Sequence, residues 1–236
     1  MAIKFSNLEV SMLGVEQVKL GNNTTLLLPR LNNKEVPCII LPKVTLGYGG
    51  VPKAGPYFKT DKDRMFIQLP IQGEILERFE LIDCTLKSEL HKLFNQTNTC
   101  EYSPLVKYGL NGPYIKVKLE TNFETDTIET VIWFSEKQED GTIVRMSEPL
   151  EFPSLAEVAT AFKFNSSVLC VIRFVKVWCV NKKYGLTIKL VKANILPGEK
   201  KGLLDCQDLD FDFYISRNVF FIMFWGIPTT YFWGKK

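Results

Sequence analysis

The sequence predicts a mainly β fold with a few short helices. Apolar residues fall in short runs bounded by Gly, Asn, Asp and Pro clusters. Period-two alternation recurs, and helical spacing is confined to two short segments. The chain has 236 residues, 46% hydrophobic and 23% charged, which excludes a mostly disordered polymer and allows a sizeable core.

Taken in order, Thr24 to Leu28 and Val36 to Leu41 are apolar runs separated by Asn-rich turns. Gly47 to Pro56 is too rich in Gly and Pro for regular structure. Arg64 to Leu69 and Phe79 to Thr85 read as strands. Leu86, Leu90, Leu93 and Phe94 recur at helical spacing, so a short helix is expected over Leu86 to Phe94. In Tyr114 to Leu119, Tyr114, Lys116 and Lys118 share one face, with Ile115, Val117 and Leu119 on the other. Ile128 to Phe134 and Thr142 to Met146 are strands around a Glu139-Asp140-Gly141 turn. Ser154 and Glu157 have the spacing of a capping box, and Leu155, Val158, Ala159 and Phe162 form the stripe of a helix to Phe164. Val168 to Ile195 reads as two strands joined by a tight Lys-Lys-Tyr-Gly turn.

Strands, then a helix, then a closing hairpin fit an oligonucleotide-binding (OB) β-barrel enlarged by insertions. One domain is expected over 1–203, followed by a tail over 204–236. A sandwich or jelly roll fits less well, because the helix before the last hairpin then needs a separate explanation.

The formal net charge of +3 decides little, but its distribution is informative. Between Val168 and Lys192 every charged side chain is basic: Arg173, Lys176, Lys182, Lys183, Lys189 and Lys192, with Phe174, Trp178 and Tyr184 among them. Cations hold a nucleic-acid backbone while aromatic rings stack on its bases, so this hairpin is the candidate site. Strand alternation puts Phe174, Lys176 and Trp178 on the expected binding face, with Arg173, Val175 and Val177 opposite. Lys116 and Lys118 add to the candidates. So do Tyr48 and Lys53, in a loop that also carries Tyr57, Phe58 and Lys59 and could close over a strand. The plain reading of the same hairpin is an amphipathic ribbon whose lysines keep one face wet.

Other chemistries fit poorly. Gly47-Tyr48-Gly49-Gly50 lacks the Gly-Lys-Ser/Thr ending of a phosphate-binding loop. Of the six cysteines, none forms a C-x-x-C pair, which speaks against zinc. The single histidine, His91, falls on the expected helix as a surface residue and not as a catalytic base. Glu120, Glu124, Asp126 and Glu129 form a loose acidic patch without the spacing of a metal loop. No catalytic residue, metal or cofactor is expected. Nothing near Met1 resembles a signal peptide, so an intracellular protein with reduced thiols is expected.

Leu204 to Phe213 alternates acids with large apolar residues, and Val219 to Trp233 is uncharged and aromatic-rich. The first could occupy the chain's own basic groove or dock partner proteins. The second is short for a spanning helix. It reads as a tail anchor in contact with a membrane, a segment packed on the domain, or a foreign C-terminus from a frame change near Ser216.

Val171 to Leu190, with the later Asp208-Leu-Asp-Phe-Asp-Phe, resembles the closing hairpin and acidic tail of single-stranded DNA-binding proteins of large nucleocytoplasmic DNA viruses. The resemblance covers Ser154 to Phe213. It implies an OB barrel with insertions and non-enzymatic coating of single-stranded DNA in replication, recombination and repair, at viral replication sites or in the host cytoplasm. The implied contacts are Arg173, Lys176, Trp178, Lys182, Lys183, Tyr184 and Lys189. Expected partners are single-stranded DNA, replication proteins through Asp205 to Phe213, and a second copy of the chain. The competing expectation is a structural or virion protein with a β-sandwich and a partner- or membrane-binding aromatic tail.

Overall fold

A computed structural model describes residues 2–19, 25–32, 35–48, 50–94, 100–122 and 124–198. The chain divides into two units, Met1–Glu199 and Lys200–Lys236; the second, with the acidic and aromatic segments, lies outside the described residues. The first unit contains, in chain order, β1 (Ile3–Lys4), β2 (Leu13–Lys19), β3 (Thr25–Leu31), β4 (Cys38–Ile40), β5 (Val44–Thr45), α1 (Asp61–Arg64), β6 (Phe66–Pro70) and α2 (Glu74–Phe94). Then come β7 (Glu101–Tyr102), β8 (Val106–Gly109), β9 (Gly112–Leu119), β10 (Val131–Lys137), β11 (Ile143–Arg145), α3 (Leu155–Ala161), β12 (Ser167–Val180) and β13 (Lys183–Leu196).

The two longest strands, β12 and β13, form the antiparallel hairpin on which the sheet is built. Asn181 and Lys182 make its two-residue turn with φ of 50° and 59°, the left-handed pair of a type I′ loop. The turn therefore shares only Lys182 with the expected Lys182-Lys183-Tyr184-Gly185 turn, and Tyr184 and Gly185 belong to β13. Strands β3, β4 and β5 attach antiparallel to β12. On the far edge of β13, three strands attach in parallel one after another: β7, β9 and β10. Strands β6 and β8 pair with β9, β11 with β10, β2 with β3 and β1 with β4. The protein is mainly β, as the sequence predicts. Its sheet is mixed and does not close into the expected barrel.

One face of the sheet is buried. Ile67, Leu69, Ile115, Val117, Ile172, Phe174, Ile188 and Leu190 meet α2 and α3 in a single core. Helix α2 is longer than expected, and it replaces the strand anticipated over Phe79 to Thr85. Phe79, Ile82, Leu86 and Leu90 are its fully buried stripe, spaced 3, 4 and 4 residues apart. Phe79 stacks on Phe5 with ring centres 5.3 Å apart. Arg78 donates to the carbonyls of Phe5, Ser6 and Leu8 and so ties the N-terminal segment to the helix. In α3 the Ser154 cap forms as predicted, its Oγ accepting from the Glu157 N–H.

Asp83 is a buried carboxylate on the inner side of α2. It accepts from the Tyr102 hydroxyl at 2.6 Å, the Leu105 N–H at 2.7 Å and the Val106 N–H at 3.0 Å. This anchors the segment from β7 to β8 on the helix. Burial raises its pKa above the ordinary carboxylate value, against the three hydrogen bonds and Lys107, which lower it. In the window between the unfolded value and Asp83's own higher one, the folded chain holds a proton that the unfolded chain has released. The Asp83 contribution to stability therefore declines as pH rises through that window. Denaturant unfolding across acidic pH should show this slope in the wild type and lose it in Asp83→Asn. Asp83→Ala, which strands three donors, should cost about 3 kcal/mol or more.

Candidate nucleic-acid interface

The face of the sheet away from α2 and α3 is set by ladder register. Cross-strand partners share a face, so the pairs Phe66–Lys118, Lys118–Lys189, Lys189–Arg173 and Arg173–Cys38 form one row over five strands. Lys107 pairs with Tyr114 and joins the same side through β8.

Two irregularities decide which hairpin residues reach this face. A register shift between Phe174 and Lys176 inserts one residue into β12. Phe174 consequently points into the core, fully buried, while Arg173, Lys176 and Trp178 lie together outside. The expected grouping of Phe174 with Lys176 and Trp178, opposite Arg173, is corrected accordingly. A second shift between Val171 and Ile172 skips Val191 and brings Lys192 to the outer face beside Val171.

At the centre of the face, Glu120 is held between two cations. Arg173 Nη2 lies 2.5 Å from its Oε2 and Lys189 Nζ 2.7 Å from its Oε1. The carboxylate's backbone is fixed as well: the Glu120 N–H donates to Thr130 Oγ1, which donates to the Leu190 carbonyl. Glu120 thus sets the spacing of two cations from neighbouring strands and neutralises part of their charge. Lys118, Lys176 and Lys192 form no ion pair among the described residues, whereas Lys183 is 3.5 Å from Glu101 on the exposed edge.

Trp178 lies across the neighbouring strand. Its register partner is Gly185, and a β-carbon there would fall 2.9 Å from Trp178 Cζ2 and 2.9 Å from the Ser103 carbonyl oxygen. Glycine is what lets the partly buried indole rest on the β13 backbone. Tyr184 points the other way. It is buried in the core with its ring centre 5.5 Å from that of Tyr102, so the expected stacking role is corrected for Tyr184 as for Phe174.

At the β6–β9 edge, Lys116 Nζ stands 3.7 Å from the centre of the Phe66 ring and 5.9 Å from that of Phe58. Although the lysine stem reaches solvent, this contact takes water from the ammonium. That desolvation, with Lys118 and Lys107 nearby, holds the Lys116 pKa below the ordinary lysine value; Asp63 offsets part of it. Lys107 is lowered too, chiefly by burial.

Phe58 packs edge-on against Phe66 and closes a tight turn, with Gly55 and Phe58 exchanging backbone hydrogen bonds. The turn presents Tyr57, which is 91% exposed. Lys53 is exposed in the same loop, but Tyr48 is half-buried with its hydroxyl enclosed. Burial and the neighbouring Tyr114 raise the Tyr48 pKa.

The structure therefore brings together Arg173, Lys176, Trp178, Lys183, Lys189, Lys116 and Lys118, with Lys182 exposed in the turn at the hairpin end. Lys107, Glu120, Lys192 and Trp133 share the face and were not singled out as site residues by the sequence pattern. Long-range pairing places Lys107, Glu120 and Trp133 there, and the strand irregularity places Lys192. His91 is exposed on α2. No described helix is long and apolar enough to cross a membrane. No protein-family model matches the chain, and no curated protein matches it in sequence.

Gly185→Ala should unseat the Trp178 ring. A red-shifted tryptophan emission, a changed near-UV circular dichroism spectrum and a loss of about 1–3 kcal/mol in denaturant unfolding are expected.

Proposed function

We propose that the outer sheet face binds single-stranded DNA without reading its sequence. The observation that carries this reading is the meeting of cations from β8, β9, β12 and β13 with the partly exposed Trp178 indole on the face that α2 and α3 do not cover. Phosphates meet lysine and arginine, which carry no base information, and unpaired bases stack on the indole. A duplex hides its bases from such a surface and is expected to bind more weakly. Engaging a strand by a sheet face with flanking loops is also the OB mode, here on an open sheet. Coating of single strands in viral replication, recombination and repair is the role the hairpin's resemblance implies, and it requires no catalytic group. The acidic segment Asp205 to Phe213 would recruit replication proteins.

Anisotropy titration of labelled oligonucleotides at several salt concentrations tests the proposal. Single strands should bind more tightly than duplex. Lys118→Ala and Lys176→Ala should each reduce the slope of log affinity against log salt by about 0.7, the share of one phosphate. Equal affinity for duplex, or a flat salt response, overturns the reading.

The Lys116 pKa adds a pH signature. A phosphate favours the charged ammonium, so affinity should fall as pH rises through the lowered Lys116 value, before ordinary lysines titrate. Lys116→Arg keeps its charge across this range and should remove the Lys116 share of that early fall, leaving the share of Lys107, whose pKa is also lowered.

A further inference from the structure

The outer face carries a second indole at its far end, outside the hairpin. Trp133 on β10 pairs in register with Asn194 of β13, whose own partner on β12 is Leu169. The Arg145 guanidinium carbon lies 5.2 Å from the Trp133 ring centre and the Lys192 ammonium 5.8 Å. These cations come from different strands, β11 and β13. Neither forms an ion pair among the described residues. Ser135 and Asn194 share a hydrogen bond of 3.0 Å beside the ring, which fixes β10 against β13 at this point. Trp133 is only partly buried, on the side of the sheet opposite the fully buried Ile132.

Stability alone does not account for this group. An exposed cation–π contact contributes little, while two like charges held at one ring repel each other. A base on the indole and phosphates on the two cations would satisfy all three side chains at once. Counting along β12 from Leu169 to Trp178 at about 3.3 Å per residue, the two indoles stand roughly 25–30 Å apart along the strands. The Arg173–Glu120–Lys189 group lies between them.

We propose that Trp133, Arg145 and Lys192 form a second nucleotide subsite, so that a single strand is gripped by base stacking at both ends of the face. The proposal rests on the reading of this face as a single-strand interface. It adds a length requirement: a strand must be long enough to reach from Trp178 to Trp133 before it gains the second contact.

The test is a titration of the full chain with oligothymidylates of increasing length. Wild-type affinity should rise with length and level off once both ends are reached. Trp133→Leu should leave short oligonucleotides nearly unaffected and weaken long ones roughly ten- to a hundredfold, with the plateau at a shorter length. Trp133→Phe, which keeps a ring, should recover much of the loss. An oligonucleotide with abasic sites along its length should bind the wild type as weakly as it binds Trp133→Leu. If Trp133→Leu fails to fold by circular dichroism, the Arg145→Gln/Lys192→Gln double variant carries the test, with the same length-selective loss and a shallower salt slope. Wild-type binding with variant length profiles that overlay it overturns the second subsite and leaves the interface standing. Absence of oligonucleotide binding by the wild type overturns both.

Discussion

The register of the β12–β13 ladder is the constraint on which the rest of the molecule depends. Every other group of strands reaches the sheet through one edge or the other of this hairpin. A type I′ turn starts the ladder, and two one-residue irregularities divide it into sections. Because side chains alternate with a period of two, each inserted residue reverses the faces beyond it. Removing the irregularity at Val175 from an otherwise unchanged ladder would exchange Phe174 for Arg173 in the core. The basic surface and the hydrophobic core are thus two readings of one hydrogen-bond pattern.

The electrostatics follow from the same pairing. Glu120 belongs to the connection between β9 and β10, yet it meets Arg173 and Lys189 because both strands join β13 in succession. A lone carboxylate as shielded as Glu120 is unfavourable; the hydrogen-bonded Lys189 and the more exposed Arg173 make it tolerable. The centre of the face is therefore ordered and partly neutral, and its flanks keep their charge. An anion sliding over this surface would meet fixed positive charge before and after the middle.

Much of this was legible in the sequence, for physical reasons that differ by element. The Tyr114–Leu119 alternation appears as written, since a strand with one wet face records its orientation in every second residue. The Ser154 cap appears because its geometry is local. Phe79 to Thr85 misled because Phe-Glu-Leu at its start alternates like a strand; only Phe79, Ile82, Leu86 and Leu90 taken together reveal a helical stripe. The basic hairpin was legible, but its faces were not. A one-residue irregularity leaves no mark in composition, so Phe174 looked like a stacking residue while it fills the core; Tyr184 looked like one because the turn was placed over it, whereas it is the second residue of β13 and points inward. Trp133 and Lys107 could not be assigned to the site, because pairing between distant segments brings them there.

The parallel attachments of β7, β9 and β10 have a consequence for how the protein is made. Synthesis runs from the N-terminus, and these strands leave the ribosome well before β13, their only shared partner. Until residues 183–196 emerge, three strand edges and the apolar face above α2 have no ladder to join. The β2–β3, β6–β9–β8 and β10–β11 pairs can form earlier, but they cannot join into one sheet before β13 emerges, and their open edges are exposed meanwhile to self-association and to chaperones. The hairpin forms through local contacts once it is released, and the waiting strands can then dock on it in a late, concerted step.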